Sequence, residues 1–328
     1  MALIEVEDLR KSFRVAVRHE GRFGALRTLV GREYRTVDAV AGLSFEVEAG
    51  EMVGYIGPNG AGKSTTIKML TGILVPTSGR LVVAGRVPHR QRIEHVRRIG
   101  VVFGQRTQLW WDLPTIESFE LLRHIYRIPE PRWRENLTAF TELLDLAPFI
   151  DTPVRQLSLG QRMRADLVAA LLHEPDILFL DEPTIGLDVV TKERIRQFMK
   201  EVNQQRGVTV ILTTHDLDDI SRVCPRVVLI DQGRVVYDGA LETLRQRYGR
   251  QRTLVVDLDD DVEQVRATHA EVVRREGRRV WLQFDRDAAT AASLIAEISA
   301  RYRIRDLTVE EPEIEAIVRD IYQAGGVR

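Results

Sequence analysis

The chain has 328 residues, 44% of them apolar and 29% charged, which is ordinary for a soluble globular protein and long enough for one large domain plus a small one. Its formal net charge of −1 provides no whole-chain basic footprint for nucleic acid. A single cysteine, Cys224, excludes an internal disulfide framework and a multi-cysteine zinc site, and suits a reducing compartment.

The opening, MALIEVEDLRKSF, carries acids and alternation where a signal peptide would have a basic end and an apolar core. No run approaches the roughly 18 apolar residues of a membrane span, so a membrane role has to come through a partner. ALIEVEDL reads as a strand. A basic insert over about 14–37 follows, with six Arg against two Glu. Its Phe23, Leu26, Leu29, Val30 and Tyr34 recur at helical spacing. An amphipathic helix near anionic lipid or a partner's loop is one reading, and a solvated hairpin covering the domain edge is the other. LSFEVEAGEMVGYIG then predicts two strands joined by a turn at Gly50, with a helix from Lys63 and strands at GRLVVAG and IGVVF.

From Trp110 to about Ile150 the pattern turns helical. Trp110 and Trp111 stand side by side, and adjacent helical residues cannot both face a core. Either one meets a partner, or both pack in an irregular loop. Helix, strand, helix and strand follow at GQRMRADLVAALL, DILFLDEP, TKERIRQFMKEVNQQ and VTVILTTH. The all-apolar strands suit a parallel sheet covered on both faces. Near Tyr248 the composition shifts, and YGRQR reads as a linker. Beyond it come a strand (TLVVDL), a short helix (DVEQVRATH), a hairpin around Glu276-Gly277, a helix (DAATAASLIAEISARY) and a strand (IRDLTVE). This βαββαβ order is the ferredoxin-like pattern. A last helix, PEIEAIVRDIYQ, closes the chain.

GPNGAGKST places Gly57, Pro58, Asn59, Gly60, Ala61, Gly62, Lys63, Ser64 and Thr65 between an apolar strand and a helix. That is the context a phosphate-binding loop requires. The glycines let the backbone wrap phosphates. Lys63 would reach the β- and γ-phosphates, and Ser64 would ligate Mg²⁺. ILFLDE ends a buried strand in two carboxylates. Asp181 suits a Mg²⁺ ligand through water, and Glu182 suits a general base for the attacking water. His215 ends another apolar strand, where ligands sit in open parallel sheets, and can contact the γ-phosphate. Gln105, after VVFG, can reach Mg²⁺ or the attacking water. LSLGQ (Leu157–Gln161) opens a helix and supplies a second anion site of free N–H groups.

Together these motifs closely resemble the ATP-binding subunit of ABC transporters, over about Leu3 to Gly249. Their order is the Walker A loop (Gly57–Thr65), the glutamine loop (Gln105), the signature (Leu157–Gln161), Walker B (Ile177–Glu182), the D-loop (Gly186-Leu187-Asp188) and the switch histidine (His215). The resemblance implies an α/β P-loop NTPase fold. An ABC-type ATPase domain would occupy 1–248, with a mixed sheet and a helical subdomain over about 106–172. A small α+β ferredoxin-like domain over 249–328 would serve dimerisation or regulation, as in drug-, antibiotic- and viologen-exporter-type subunits.

The resemblance also implies ATP and Mg²⁺ as cofactors and ATP hydrolysis as the activity. Two ATP-binding subunits, identical or different, would meet head to tail. Ser158, Gly160 and Gln161 of each would then close over the γ-phosphate held by the other, with Asp188 beside it. The helical subdomain would dock on integral-membrane permease subunits, of the ABC-2 type, and the direction would be export. The chain would sit peripherally at the cytoplasmic face of the cell (inner) membrane, soluble when expressed alone. An aromatic shortly after the first strand would stack on adenine; Phe13 holds that place, with Tyr34 as competitor.

Two departures stand out: Leu159 replaces the usual glycine of the signature, and Ile185 replaces a small residue before the D-loop. A soluble ABC ATPase acting on nucleic acid is the rival reading, but the chain has neither a long coiled-coil insertion nor a second cassette. A P-loop phosphotransferase would leave the signature unexplained.

Overall fold

The computed structural model describes residues 2–16, 34–104, 106–262, 264–312 and 314–323. Within these, the chain divides into two compact units, Met1–Asp238 and Gly239–Arg328.

The first unit is built on two sheets. β1 (Ala2–Ala16), β2 (Tyr34–Glu48) and β4 (Ser78–Val83) form an antiparallel sheet of order β2-β1-β4. β1 and β2 make a long ribbon whose far end pairs Arg14 with Thr36 and Ala16 with Tyr34. Tyr34 is therefore a strand residue, not part of an amphipathic helix. Phe23, Leu26, Leu29 and Val30 lie outside the described residues.

A six-stranded sheet has the order β5-β6-β7-β3-β8-β9. It contains β3 (Met52–Ile56), β5 (Ile99–Phe103), β6 (Ile177–Asp181), β7 (Thr209–Thr213), β8 (Arg226–Asp231) and β9 (Arg234–Ala240). The β5-β6-β7-β3-β8 run is parallel throughout. Its central strands are buried on both faces, which is why they read as unbroken apolar runs. Ile4, Leu43, Tyr55, Ile67, Phe179 and Val228 share one core between the two sheets.

Helices α1 (Lys63–Leu70), α2 (Arg92–Val96), α3 (Thr115–Tyr126), α4 (Glu130–Leu144), α5 (Leu159–Leu171), α6 (Val189–Arg206) and α7 (Leu217–Val223) complete this unit. Arg127 and Asp145 end α3 and α4 in the left-handed conformation. Residues 106–114 are not helical, because helix α3 starts only after Pro114. Trp110 and Trp111 lie in this irregular stretch, 39% and 51% exposed, so neither is a core residue.

The second unit opens with α8 (Leu241–Tyr248), upstream of the expected boundary at 248/249. α8 packs on the last helix, α10 (Ile314–Gln323), which carries Ile314, Ile317, Val318 and Ile321 on its buried side. Between them β10 (Gln251–Leu258), β11 (Ala270–Glu276), β12 (Arg279–Asp285) and β13 (Ile304–Glu310) form an antiparallel sheet of order β11-β12-β10-β13. That is the ferredoxin-like order, with α9 (Ala291–Arg301) packed on one face through Leu294 and Ile298.

The helix expected at DVEQVRATH does not form among the described residues. Val262, Val265 and Ala267 reach the sheet core from an irregular connection instead. The β-branched Val262, Val265 and Thr268 and the short length make this segment a weak helix former, and packing decides.

Candidate functional site

The phosphate-binding loop runs from the end of β3 to the start of α1. Gly60 and Gly62 have φ of 85° and 102°. A Cβ on Gly62 would sit 2.4 Å from the carbonyl oxygen of Ala39, so β2 presses directly on the loop. Lys63 folds across the loop, its Nζ donating to the carbonyls of Gly57 at 2.5 Å and Pro58 at 3.2 Å. Burial holds its pKa below the usual lysine range, opposed by the charges of Glu182 and Asp181.

Asp181 ends β6 between Phe103 of β5 and Thr213 of β7. The Thr213 hydroxyl donates to its Oδ1 at 2.5 Å. Glu182 follows with φ 59°, a left-handed turn that a non-glycine residue enters at a cost. Its N–H bonds Thr213 O at 2.9 Å, and its Oε2 lies 2.5 Å from Nδ1 of His215.

Ser64, Asp181 and Glu182 line one cavity of about 370 Å³ with Phe103, Lys68 and Arg106. A hydroxyl, one carboxylate and open space match what Mg²⁺ takes when phosphate and water supply the other ligands. Among the described residues no group of three or more His, Cys, Asp or Glu forms a protein-only metal cage. Lys68 and Arg106 escaped the sequence reading. Lys68 lies one helical turn from Ser64, a spacing that places both on one face. Gln105 lies outside the described residues, between Gly104 and Arg106, which border the cavity.

The signature lies elsewhere, and none of its residues lines this cavity. Ser158 caps α5: its Oγ accepts from Gln161 N at 3.2 Å, and Gln161 Oε1 accepts from Ser158 N at 2.8 Å. Gln161 therefore spends its side chain holding Ser158, whose O–H proton remains available to donate. Leu159 takes helical backbone as the first residue of α5, so the replaced glycine causes no strain there. Its side chain packs at the D-loop, where a Cβ on Gly186 would meet Leu159 Cδ2 at 3.2 Å. Asp188 caps α6, accepting from Thr191 N at 2.9 Å and from Thr191 Oγ1 at 2.7 Å. Arg162, one turn into α5, stacks over Trp111 at 5.7 Å.

Phe13 pairs with Val37, two residues along β2 from Ala39, with Lys11 Nζ 5.2 Å from its ring centroid. Tyr34 lies three residues further out, about 10 Å along the strand, with Arg14 over its ring at 5.3 Å.

The sequence profile of the ABC transporter family matches residues 40–185. The chain is 32% identical over 287 residues to the Nod factor export ATP-binding protein I of Cupriavidus metallidurans, covering 86% of this chain and 93% of that protein. The chain belongs to the ABC transporter ATP-binding family. It is an ATP-binding subunit of an ABC transporter and an ATPase. The family includes importers: the methionine import ATP-binding protein MetN of Geobacillus kaustophilus is 36% identical over 208 residues, 62% of this chain and 60% of that protein. Among solved structures, a dimeric post-hydrolysis state of an ATP-binding cassette bound to ADP and Pi matches with a TM-score of 0.60 at 26% identity. That match covers 73% of this chain and 98% of the other. The ATPase fold thus has counterparts among solved structures, and among the described residues no helix is long and apolar enough to cross a membrane.

Proposed function

We propose that this ATPase drives export through separate membrane permease subunits, of the ABC-2 type, from the cytoplasmic face of the membrane. The observation that carries the chemistry is the contact of Glu182 with His215 at the cavity shared by Ser64 and Asp181. ATP lies with its phosphates on Gly57–Thr65, and Lys63 moves from the Gly57 and Pro58 carbonyls to the β- and γ-phosphates. Ser64, Asp181 and Gln105 would hold Mg²⁺, which would supply charge neutralisation to the transferred phosphoryl group. Phe13 stacks on adenine, because it stands nearer than Tyr34 to the point where β2 meets the loop.

Glu182 takes a proton from the attacking water as its oxygen bonds to the γ-phosphorus and the bond to the β-phosphate oxygen breaks. His215 holds the Glu182 carboxylate and faces the γ-phosphate. Two chains close head to tail, each Ser158 hydroxyl and Gly160 amide donating to the other's γ-phosphate, with Gln161 and Asp188 fixing the two caps. Hydrolysis removes those acceptors and the pair reopens. The helical subdomain, with Trp110 and Trp111 at its surface, carries this motion to the permease. The second unit, 239–328, stabilises or regulates the dimer.

Export is favoured by the extent of likeness. The similarity to the Nod factor export protein spans 86% of the chain and so extends into the second unit, whereas that to MetN spans 62%. The test is a tagged pull-down of the full chain from detergent-solubilised native membranes. A stoichiometric multi-spanning protein supports the reading. Ribosomes or nucleic acid without a membrane protein would overturn it.

A further inference from the structure

Three segments that the reaction uses are tied together at one buried point that touches no nucleotide-facing group. The Thr184 hydroxyl donates to Asp219 Oδ2 at 2.5 Å. Arg196 Nε donates to Asp219 Oδ1 at 2.7 Å, and its Nη2 to Asp218 Oδ2 at 2.9 Å. Thr184, Asp219 and Arg196 are all buried, with Asp219 fully enclosed.

Each member belongs to a different working part. Thr184 lies two residues after Glu182 and two before Gly186 of the D-loop. Asp219 lies one turn beyond His215, on α7. Arg196 sits on α6, whose cap is Asp188. A second tie, Lys192 Nζ to Asp216 Oδ2 at 2.5 Å, joins the same two helices nearer His215.

Enclosing an Arg–Asp pair and a threonine hydroxyl costs desolvation that apolar side chains of similar size would avoid. The arrangement therefore calls for a role that apolar packing would not fill. Glu182 supplies one: its left-handed backbone stores strain and persists only if its surroundings over-determine it. Its N–H is held by Thr213, and the turn that leaves it is pinned by Thr184 to Asp219. Asp219 in turn sits on the helix that carries His215 at its entrance. One carboxylate thus ties the turn leaving Glu182 to the helix that His215 enters: Asp219 Oδ2 takes the Thr184 hydroxyl, and Oδ1 is held by Arg196 of α6, which fixes Asp219 in place.

We propose that Thr184, Asp219 and Arg196 form a positioning triad that sets the Glu182 carboxylate against His215, so that turnover depends on the triad and ATP affinity does not. The inference rests on Glu182 being the general base. A misplacement near 1 Å at such a group costs on the order of 100-fold, so a partial loss is expected to be large enough to measure.

The test uses the full chain, with ATPase turnover and ATP Kd measured separately. Thr184→Val keeps the shape and removes the hydroxyl. It should lower kcat at least roughly tenfold and leave the ATP Kd within about twofold, and Thr184→Ser should restore most of the rate. Added to Glu182→Gln, Thr184→Val should cause no further loss, because a misplaced base that has already been removed has nothing left to lose.

A near-normal kcat in Thr184→Val, equal falls in kcat and affinity, or a full additional loss on top of Glu182→Gln would overturn the triad. If Glu182→Gln itself turned over normally, the base assignment would be the part that fails. Should Thr184→Val not fold, Asp219→Asn is measured in its place, with the same split expected and the same outcomes deciding.

Discussion

His215 and Glu182 meet at the ends of two neighbouring parallel strands, Nδ1 to Oε2 at 2.5 Å, although 33 residues separate them in the chain. The imidazole is 59% exposed and the carboxylate 23%, so the pair stands at a mouth and not in a core. An incoming phosphate or water can reach both groups without any part of the fold opening.

Glu182→Gln should therefore bind ATP, lose at least about 100-fold in kcat, and accumulate as a closed dimer in the presence of ATP and Mg²⁺. Phosphate release gives the rate, and size-exclusion chromatography with and without ATP gives the dimer. Turnover near that of the wild type would remove Glu182 as the base.

Lys63→Ala should abolish the stabilisation that ATP confers. In the wild type, ligand at about 100 times Kd adds roughly 2.7 kcal/mol to the folded state. The variant loses the ammonium that Gly57 and Pro58 hold ready, so its Tm should no longer rise with ATP. A thermal melt across an ATP series measures this.

Ser158 caps α5 and, in the proposed dimer, also donates to the partner's γ-phosphate; two substitutions separate the two roles. Ser158→Ala removes the cap of α5 and should cost about 1 kcal/mol as well as activity. Ser158→Asp keeps a good cap but sets a negative charge where, in the proposed head-to-tail pair, the partner's γ-phosphate would approach. It should melt like the wild type and hydrolyse ATP poorly. Denaturation curves and ATPase rates measured on the same preparations decide the point.

His173 makes stability pH-dependent. Its ring stacks on Tyr126 at 4.0 Å between centroids, and burial pushes its pKa down from 6.5 to about 4. The unfolded chain binds the proton first as the pH falls, so the stabilisation is complete above 6.5 and is lost progressively down to about 4. At roughly 1.4 kcal/mol per unit this amounts to about 3 kcal/mol. Asp166, raised by burial to about 6, acts with the opposite sign, since its native form gains stability as it protonates below that pH. Comparison with His173→Phe isolates the histidine: the variant should lose less Tm than the wild type between pH 7 and pH 5. Equal losses would place the titration elsewhere.

Much of the site was legible because its parts are local. A phosphate loop needs one strand end, glycines at positive φ and a helix start, and MVGYI followed directly by GPNGAGKST states all three in one short stretch. Ser158 and Gln161 are three residues apart, which is all a capping box requires. The buried strands announced themselves by apolar runs, because a strand covered on both faces has no polar side to show. What stayed hidden depends on residues that sequence separates. Thr184 and Asp219 meet only because the loop leaving β6 and the helix leaving β7 emerge side by side, and strand order is a tertiary property.

The irregular connection described over 259–262 and 264–269 teaches the same lesson in reverse. Its sequence reads as a short helix, but Val262, Val265 and Ala267 pack against the core of the sheet beside it, and weak propensity yielded to that packing. The sequence by itself determined the motifs, the caps and the apolar strands, since each is set by neighbours within one turn or one loop. Only the tertiary structure decided which strand ends lie together, and with them the contact of Glu182 with His215, because the parallel order brings distant residues to one edge of one sheet.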